Sequence, residues 1–222
     1  MPLFVRNRFL FIHIPKCGGD TISHFLRLHD DPPFLFIPDG SVLVSGHTPQ
    51  HLTWKEYLKL GWSPYNGFRV AALVRHPIDR VISEFRYIHR HRLDLVKIAA
   101  TRSSFLDAFL TKDPASLRMF DHHNLGILDF LENEKGQIDP LIKLRPVQEM
   151  DQLMASLGLP TVPATARRFV SPKADKQDQK FSFLPEDIDR IVRFYARDIK
   201  WFELQFPHVQ SGYKGQTLRT RY

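Results

Sequence analysis

Short apolar runs alternate with segments of helical apolar spacing along the first part of the chain. The runs FLFIHI (9–14), SVLVSGH (41–47) and FRVAALVR (68–75) predict three β-strands, and the last is apolar on both faces, as an interior parallel strand is. Helical spacing follows each run, with Thr53 as the predicted N-cap of the second helix and Pro77 as the first residue of the third. This alternation predicts a parallel sheet with helices on both faces.

The second half of the chain is predicted to be mostly helical. A polar and basic stretch at 170–183 predicts an exposed loop, and the basic tail at 208–222 is expected to be flexible or held by a partner. We expect residues 1–222 to form a single domain. The segments predicted to form helices or helix–loop units are 103–113, 121–134, 145–160 and 184–206.

The composition is that of a soluble globular protein, with 43% hydrophobic and 25% charged residues. The net charge of +7 favours an anionic ligand or partner, such as a nucleotide, an acidic glycan, nucleic acid or a membrane surface, although a solvated basic face would explain it equally well. Cys17 is the single cysteine, which excludes an intrachain disulfide and a thiolate-rich zinc site.

No long apolar run or signal-peptide pattern stands out in the sequence. Nowhere do about 18 uncharged apolar residues run together, so no transmembrane segment is predicted. We therefore expect a soluble cytoplasmic protein. A luminal protein whose membrane anchor lies outside the given residues fits the sequence as well.

The segment IPKCGGDT (14–21), called the lysine loop below, joins the first predicted strand to the first predicted helix. Such a loop presents backbone N–H groups at the positive end of a helix dipole, which favours an anion. Gly18 and Gly19 would let the backbone approach a ligand, Lys16 supplies a positive charge and Thr21 a hydroxyl. The lysine precedes the glycines, unlike in a Walker loop, so anion binding and a plain tight turn both remain open.

A second segment, LVRHPIDRVISEFRY (73–87), contains another pair of groups suited to phosphate. Arg75 lies at the carboxyl end of a predicted strand, where open α/β sheets bind ligands, and Ser83 lies on the following helix. The two side chains could hold a second phosphate. Taken alone, the segment is equally compatible with a surface ion pair at Arg75 and a structurally neutral Ser83.

Together, FIHIPKCGGDTI (11–22) and LVRHPIDRVISEFRY resemble the sulfotransferases that use 3′-phosphoadenosine-5′-phosphosulfate (PAPS), especially the glycan-modifying branch with an IPKTGGTS loop. Weaker similarity extends through NLGILDFL, LRPVQEMDQLMASLGL and YARDIKWFE. The resemblance implies a P-loop-like, three-layer α/β fold with a central parallel sheet, flanking helices and a helical C-terminal half. It also implies PAPS as the donor, the bisphosphate PAP as the product, and no metal.

The resemblance implies a role for each matching residue. It places Arg75 and Ser83 at the 3′-phosphate of the nucleotide. It places a continuous run at the 5′-phosphosulfate, namely Lys16, Cys17, Gly18, Gly19, Asp20 and Thr21. The late basic loop is expected to fold over the nucleotide through Arg168, Ser171 and Lys173.

Two residues of the lysine loop depart from the pattern of the family. Cys17 stands where threonine is usual, which keeps the size but weakens any hydrogen bond. Asp20 also replaces a threonine, and a carboxylate beside a phosphosulfate is unfavourable unless it points away or caps the helix.

His47, at the end of the second predicted strand, is the candidate general base. Sulfuryl transfer requires the acceptor to lose a proton, and an ordinary histidine titrates near physiological pH. Gly46 and His47 resemble the Gly-His pair of glycan sulfotransferases, although a lone histidine is more often structural. Lys16 would be the second catalytic residue, stabilising charge on the sulfonate and on the bridging oxygen.

The segment DHHN (121–124) is expected to line the acceptor cleft, so that His122, His123 or Asn124 contacts the substrate. A metal site made from His47, His122 and His123 is conceivable. The spacing matches no metal signature and sulfuryl transfer requires no metal, so none is expected.

Several acceptors remain open. The basic charge and the resemblance favour an acidic glycan. A tyrosine hydroxyl is the alternative acceptor, because protein-tyrosine sulfotransferases share the fold and the donor. Those enzymes use a glutamate base, and Glu56 is the nearest carboxylate after His47. A non-catalytic protein that binds polyanions or nucleic acid would explain the charge but not the co-occurrence of the lysine loop with Arg75 and Ser83. A kinase-like enzyme is a third class. Nucleic acid is not the expected partner, and the oligomeric state is left open.

Overall fold

The structure is a computed structural model that describes residues 1–28, 33–34, 47–61, 67–163 and 183–213. Most of the predicted strand at 41–47 lies outside these ranges, with only His47 described. The tail is described as far as residue 213.

The described residues contain one four-stranded mixed sheet in the order β1-β2-β3-β4. Strands β2, β3 and β4 are parallel, and β1 pairs with β2 in the antiparallel direction. All four residues of β2 are buried, as expected of an apolar interior strand. The bounds are Leu3–Phe4 for β1, Phe9–Ile12 for β2, Arg69–Val74 for β3 and Ile142–Pro146 for β4.

Ten α-helices lie within the described ranges, and several begin with a clear capping signal. Thr53 caps α2 as predicted, because its hydroxyl accepts from the backbone N–H of Glu56 and the Glu56 carboxylate accepts from the backbone N–H of Thr53. Pro77 is the first residue of α3, also as predicted, and the His76 side chain accepts from the backbone N–H of Ile78. The bounds are Gly19–Leu28 for α1, Trp54–Lys59 for α2, Pro77–His91 for α3, Leu93–Val96 for α4, Arg102–Phe109 for α5, Pro114–Met119 for α6, Ile127–Leu131 for α7, Met150–Ser156 for α8, Pro185–Phe194 for α9 and Ala196–Gln205 for α10.

The chain divides into two compact units. The first unit, Met1–Arg75 with Lys112–Pro172, contains the sheet together with α1, α2, α6, α7 and α8. The second unit, His76–Thr111 with Lys173–Tyr222, contains α3, α4, α5, α9 and α10 and no strand among its described residues.

The α/β fold predicted from the sequence is confirmed, with two differences. The sheet is mixed, because the two-residue strand β1 runs antiparallel to β2. The segment 145–160, predicted as a helix or helix–loop unit, begins in strand β4, and the helix α8 starts at Met150. Strand β4 is apolar and buried at its two ends but exposed at Lys143 and Arg145, so its pairing with β3 decides its conformation.

The register of the parallel strands positions the candidate site. Ile12 pairs with Ala72, and Val74 pairs with Pro146, so β2, β3 and β4 end at the same edge of the sheet. The lysine loop follows β2 and Arg75 follows β3, which brings both to the edge where parallel sheets bind ligands.

Candidate functional site

The lysine loop adopts a backbone that few residues tolerate. Lys16 has a φ of 65° and Gly18 a φ of 86°, both in the left-handed region that a residue with a Cβ atom rarely adopts. A Cβ atom on Gly18 would lie 2.9 Å from Met150 and 3.1 Å from Val147, both of which follow β4. The residues after β4 therefore close one side of the loop, and Gly18 is needed for its φ and for this contact.

Gly19, the first residue of α1, lies directly against a histidine. A Cβ atom here would overlap the imidazole ring of His13, which is 3% exposed and follows β2. The ring therefore occupies the space that a side chain at position 19 would need. The sequence suggested that the glycine allows a ligand to approach; the structure adds that it makes room for His13.

Cys17 and Thr21 are both buried. The backbone N–H of Cys17 donates to the carbonyl of Ile14, and the backbone N–H of Thr21 to the carbonyl of Gly18. Any contact of Cys17 with a nucleotide would thus need a group other than this N–H. The first N–H groups of α1, at Gly19 and Asp20, have no partner within the helix and are the ones suited to an anion.

Asp20, which the sequence left unexplained, lies beside His13. Its carboxylate Oδ1 is 3.8 Å from Nε2 of His13, and the side chain is 57% exposed. Burial alone would raise the pKa of Asp20, but His13 and Lys16 outweigh it and hold the pKa below the ordinary value. The carboxylate is therefore charged at neutral pH and opposes part of the attraction that Lys16 exerts on an anion.

A hydrogen-bonded network centred on Asp121 lies after α6. The carboxylate of Asp121 accepts from the backbone N–H of Thr48 at 2.6 Å, from the Thr48 hydroxyl at 2.7 Å and from Nδ1 of His51 at 2.7 Å. Burial alone would raise the pKa of Asp121, but the hydrogen bonds from His51 and Thr48 and the nearby imidazoles of His51 and His123 together outweigh burial and lower the pKa well below the usual range. The network ties the residue after His47 to the loop that follows α6.

His47 lies against a different pair of side chains. Its ring stacks on that of His122, with the centroids 3.8 Å apart, and its Nε2 is 3.9 Å from Oε1 of Glu56. His47 is 2% exposed, and neither of its ring nitrogens has a hydrogen-bond partner among the described residues. An imidazole buried in this way costs free energy unless another group satisfies it.

The backbone of the loop after α6 is strained where it meets these histidines. Asp121 has a φ of 49° and His122 a φ of 64°, which are left-handed values at two successive non-glycine residues. Such strain persists where surrounding contacts over-determine the conformation. Here it lets Asp121 reach His51 while His122 reaches His47.

A chain of ring contacts links this cluster to the lysine loop. The rings of His13 and His51 meet edge to face with centroids 5.1 Å apart, and His123 packs against His51 at 4.7 Å. His13 also contacts Gly19 and Asp20 of the lysine loop. All of these residues belong to the first unit, and His51 lies four residues after His47, the candidate base.

The remaining predicted site residues divide by position. Asn124 is fully buried and its side-chain N–H donates to the hydroxyl of Ser116 at 2.9 Å, which is a structural contact. His123 lies beside His51 rather than His47. Ser83 lies on α3 in the second unit, so its predicted part in nucleotide binding remains a prediction. The predicted loop residues Arg168, Ser171 and Lys173 lie outside the described residues.

Sequence reasoning missed His13, His51 and Asp121 as parts of the site. The spacing HTPQH (47–51) and the doubled histidine after Asp121 are the signals in the sequence. Neither shows which histidine meets which, because the partners lie about 70 residues apart along the chain.

The burial of His13 leads to a prediction about acid stability. Burial lowers the pKa of His13 from 6.5 to about 3, with His51, His123 and the amino terminus acting in the same direction and Asp20 opposing them. The unfolded chain then binds more protons than the folded one between these two values, so stability is lost as the pH falls from about 6.5 towards 3. In His13→Gln, we expect thermal unfolding followed by circular dichroism to depend less steeply on pH in this window.

The matched control for this prediction is His91→Gln, which replaces an exposed histidine on α3. The slope of unfolding temperature against pH should be the same in this variant as in the wild type. Equal slopes for His13→Gln and the wild type would contradict the assignment.

The protein therefore has an α/β fold with a lysine- and glycine-containing loop at the carboxyl edge of its parallel strands. Comparison with known families identifies the class of protein. A model of the sulfotransferase family matches residues 4–205, most of the 222-residue chain. The chain belongs to the sulfotransferase family, and hence to a class of enzymes that transfer sulfate. The searches of curated proteins and of solved structures returned no significant match.

Within the described ranges, no helix is both long enough and apolar enough to cross a bilayer.

Proposed function

We propose that the protein transfers the sulfuryl group of PAPS to a hydroxyl group of a glycan, with His47 as the general base. Membership of the sulfotransferase family supports sulfuryl transfer. The observation that carries the proposal is the state of His47, which is buried and has no hydrogen-bond partner among the described residues. A base that awaits an acceptor hydroxyl has these properties. Four residues further along the chain, the ring of His51 contacts that of His13 beside the lysine loop.

The donor would lie across the edge where the parallel strands end. Lys16 and the N-terminal amides of α1 would stabilise negative charge on the sulfonate and on the oxygen that bridges it to the 5′-phosphate. Arg75, which follows the neighbouring strand β3, would bind the 3′-phosphate. The 3′-phosphate would thereby distinguish PAPS from other adenine nucleotides.

The acceptor would reach a nitrogen at the edge of the His47 ring, because His122 covers one face of that ring. In-line displacement brings the acceptor oxygen to sulfur as the bond to the bridging oxygen breaks, and His47 takes the acceptor proton. A neutral imidazole nitrogen with no partner can accept this proton directly. The basic charge of the chain favours an acidic glycan over a neutral one.

Tyrosine sulfation is the second candidate, and one contact favours it. Glu56 lies 3.9 Å from His47, so a carboxylate base is present at the same place. Its Oε2 accepts from the backbone N–H and the hydroxyl of Thr53, both at 2.7 Å. These bonds hold the pKa of Glu56 below its ordinary value despite burial, which makes it a weaker base than an imidazole.

The nucleotide assignment is tested by thermal stabilisation with PAP, ATP and AMP. At about 100 times its Kd, PAP should stabilise the wild type by about 2.7 kcal/mol, which corresponds to a rise in Tm of roughly 5–10 °C, with smaller effects of ATP and AMP. Arg75→Ala should reduce the PAP effect towards that of AMP. Asp20→Asn should increase the stabilisation by PAP, because the variant removes a negative charge beside Lys16.

Arg118→Ala serves as the matched control, because Arg118 is an exposed arginine at the end of α6. It should leave the response to PAP unchanged. Equal stabilisation of the wild type by all three nucleotides would contradict PAPS as the donor.

A further inference from the structure

Three side chains around His47 offer the ligand atoms of a transition-metal site. Within this trio of His47, Glu56 and His122, one ligand atom from each side chain lies within 4.8 Å of the other two. Two imidazoles and one carboxylate are the set used by zinc sites with three protein ligands and an open position. Magnesium and calcium prefer oxygen ligands, so the donor set favours Zn²⁺ and related ions.

Each member of the trio has an atom available for coordination. His47 is 2% exposed with both ring nitrogens unpartnered, and Nδ1 of His122 is buried and unpartnered among the described residues. Oε2 of Glu56 is engaged by Thr53, while Oε1 is the oxygen that faces His47. The trio therefore presents two imidazole nitrogens and one carboxylate oxygen without breaking a hydrogen bond between side chains.

Outer contacts hold two of the three ligands in place. His122 stacks on His47, and its left-handed backbone follows Asp121, whose carboxylate is fixed by three hydrogen bonds. The capping box between Glu56 and Thr53 orients the carboxylate. Outer-shell hydrogen bonds of this kind orient metal ligands in known sites.

A second trio of similar composition is a poorer candidate. His51, Asp121 and His123 also lie within ligand distance of one another. The carboxylate of Asp121 already accepts three hydrogen bonds at 2.6–2.7 Å, one of them from His51. A metal here would have to displace that network, whereas at the first trio it would satisfy groups that lack partners.

We propose that His47, Glu56 and His122 bind one Zn²⁺-class ion, and that this ion withdraws His47 from its role as the general base. Four ligands around Zn²⁺ at bond lengths of about 2.0–2.1 Å lie about 3.3 Å apart. The distance from Nε2 of His47 to Oε1 of Glu56 is 3.9 Å, so this edge of the site closes by less than about 1 Å. The rings of His47 and His122 are stacked with 24° between their planes, so one ring must also turn to point its lone pair at the ion. A nitrogen lone pair that binds the metal no longer accepts a proton from a hydroxyl, so the bound ion inhibits the transfer.

The binding test uses metal alone and tag-free protein. Titration with Zn²⁺ by calorimetry should give one site per chain, Co²⁺ should show the visible absorption of a nitrogen- and oxygen-ligated ion, and Mg²⁺ should not compete. His122→Ala and Glu56→Gln should each weaken Zn²⁺ binding by at least about tenfold, because each removes one of three ligands. Glutamine at position 56 keeps the capping box, so folding is retained.

His123→Ala is the matched control, because His123 is adjacent in sequence but belongs to the other trio. Zn²⁺ should bind this variant as it binds the wild type. Either of two results would overturn the site. One is an unchanged Zn²⁺ affinity in His122→Ala, and the other is a loss of Zn²⁺ binding in His123→Ala while His122→Ala still binds. Circular dichroism of each metal-free variant checks that it is folded.

The prediction that bound Zn²⁺ inhibits sulfuryl transfer rests on the proposed function and is tested separately. Saturating Zn²⁺ should lower sulfuryl transfer by the wild type at least about tenfold, and EDTA should restore it. A metal-free wild type with no transferase activity would count against the proposed function and not against the metal site. Full activity with Zn²⁺ bound at the trio would contradict the claim that the ion prevents His47 from acting as the general base.

Discussion

Replacing His47 by asparagine is expected to lower kcat for sulfuryl transfer by about 10²–10⁴-fold, the usual contribution of a positioned general base. Asparagine fills part of the buried space but cannot take up the acceptor proton. The measurement is transfer from labelled PAPS to separate pools of glycans and tyrosine peptides. We expect label in the glycan pool with the wild type and almost none with His47→Asn.

Two comparisons make this result specific to the base. Stabilisation by PAP should be the same in His47→Asn as in the wild type, because His47 is not assigned to the nucleotide. Glu56→Gln keeps the cap of α2 and should retain most of the glycan activity. The opposite result would be label in the tyrosine-peptide pool that is unchanged in His47→Asn and lost in Glu56→Gln. It would support a carboxylate base and a tyrosine acceptor instead.

Gly19→Ala is expected to destabilise the fold by about 2–3 kcal/mol, because the added methyl group overlaps the buried ring of His13. The ring has little room to move, since it also packs against His51 and Phe11. The measurement is the free energy of unfolding in urea. A destabilisation of this size is large for a glycine-to-alanine change at a helix start, where alanine is otherwise favourable.

A double variant separates the clash from other effects. In His13→Ala/Gly19→Ala the methyl group has space, so the combined loss of stability should be smaller than the sum of the two single losses. Gly136→Ala is the control for backbone strain alone, because its φ is 69° and nothing lies within 4 Å of the added atom. Additive losses in the double variant would show that position 19 does not conflict with His13.

The lysine loop illustrates how far sequence reasoning reached at the site. The order of Lys16, Gly18 and Gly19 predicted a strand-to-helix loop, and the structure has one at the end of β2. The residue that contacts Gly19, however, is His13, which the sequence placed only in a strand. Asp20 was an anomaly in the sequence and becomes intelligible as a carboxylate held between His13 and Lys16.

Strand β4 shows the corresponding limit for the fold. Its residues Ile142–Pro146 alternate between apolar and polar, but the strand is short, and its last two residues fell in the segment 145–160 that was predicted as a helix or helix–loop unit. Pairing with β3 supplies the hydrogen bonds that make Ile142–Pro146 a strand. This pairing joins positions some 70 residues apart, so local propensity does not encode it.

The sequence by itself determined the alternation of β2, α1, β3 and α3, the N-cap at Thr53, the helix start at Pro77, and the family. These features depend on short-range periodicity, turn chemistry and motif spacing. Only the tertiary structure decided which histidines meet. His47 pairs with His122 and His51 with Asp121 because the strained loop after α6 packs against the segment that follows His47. Contacts of this kind depend on long-range packing in the first unit, and no spacing along the chain specifies them.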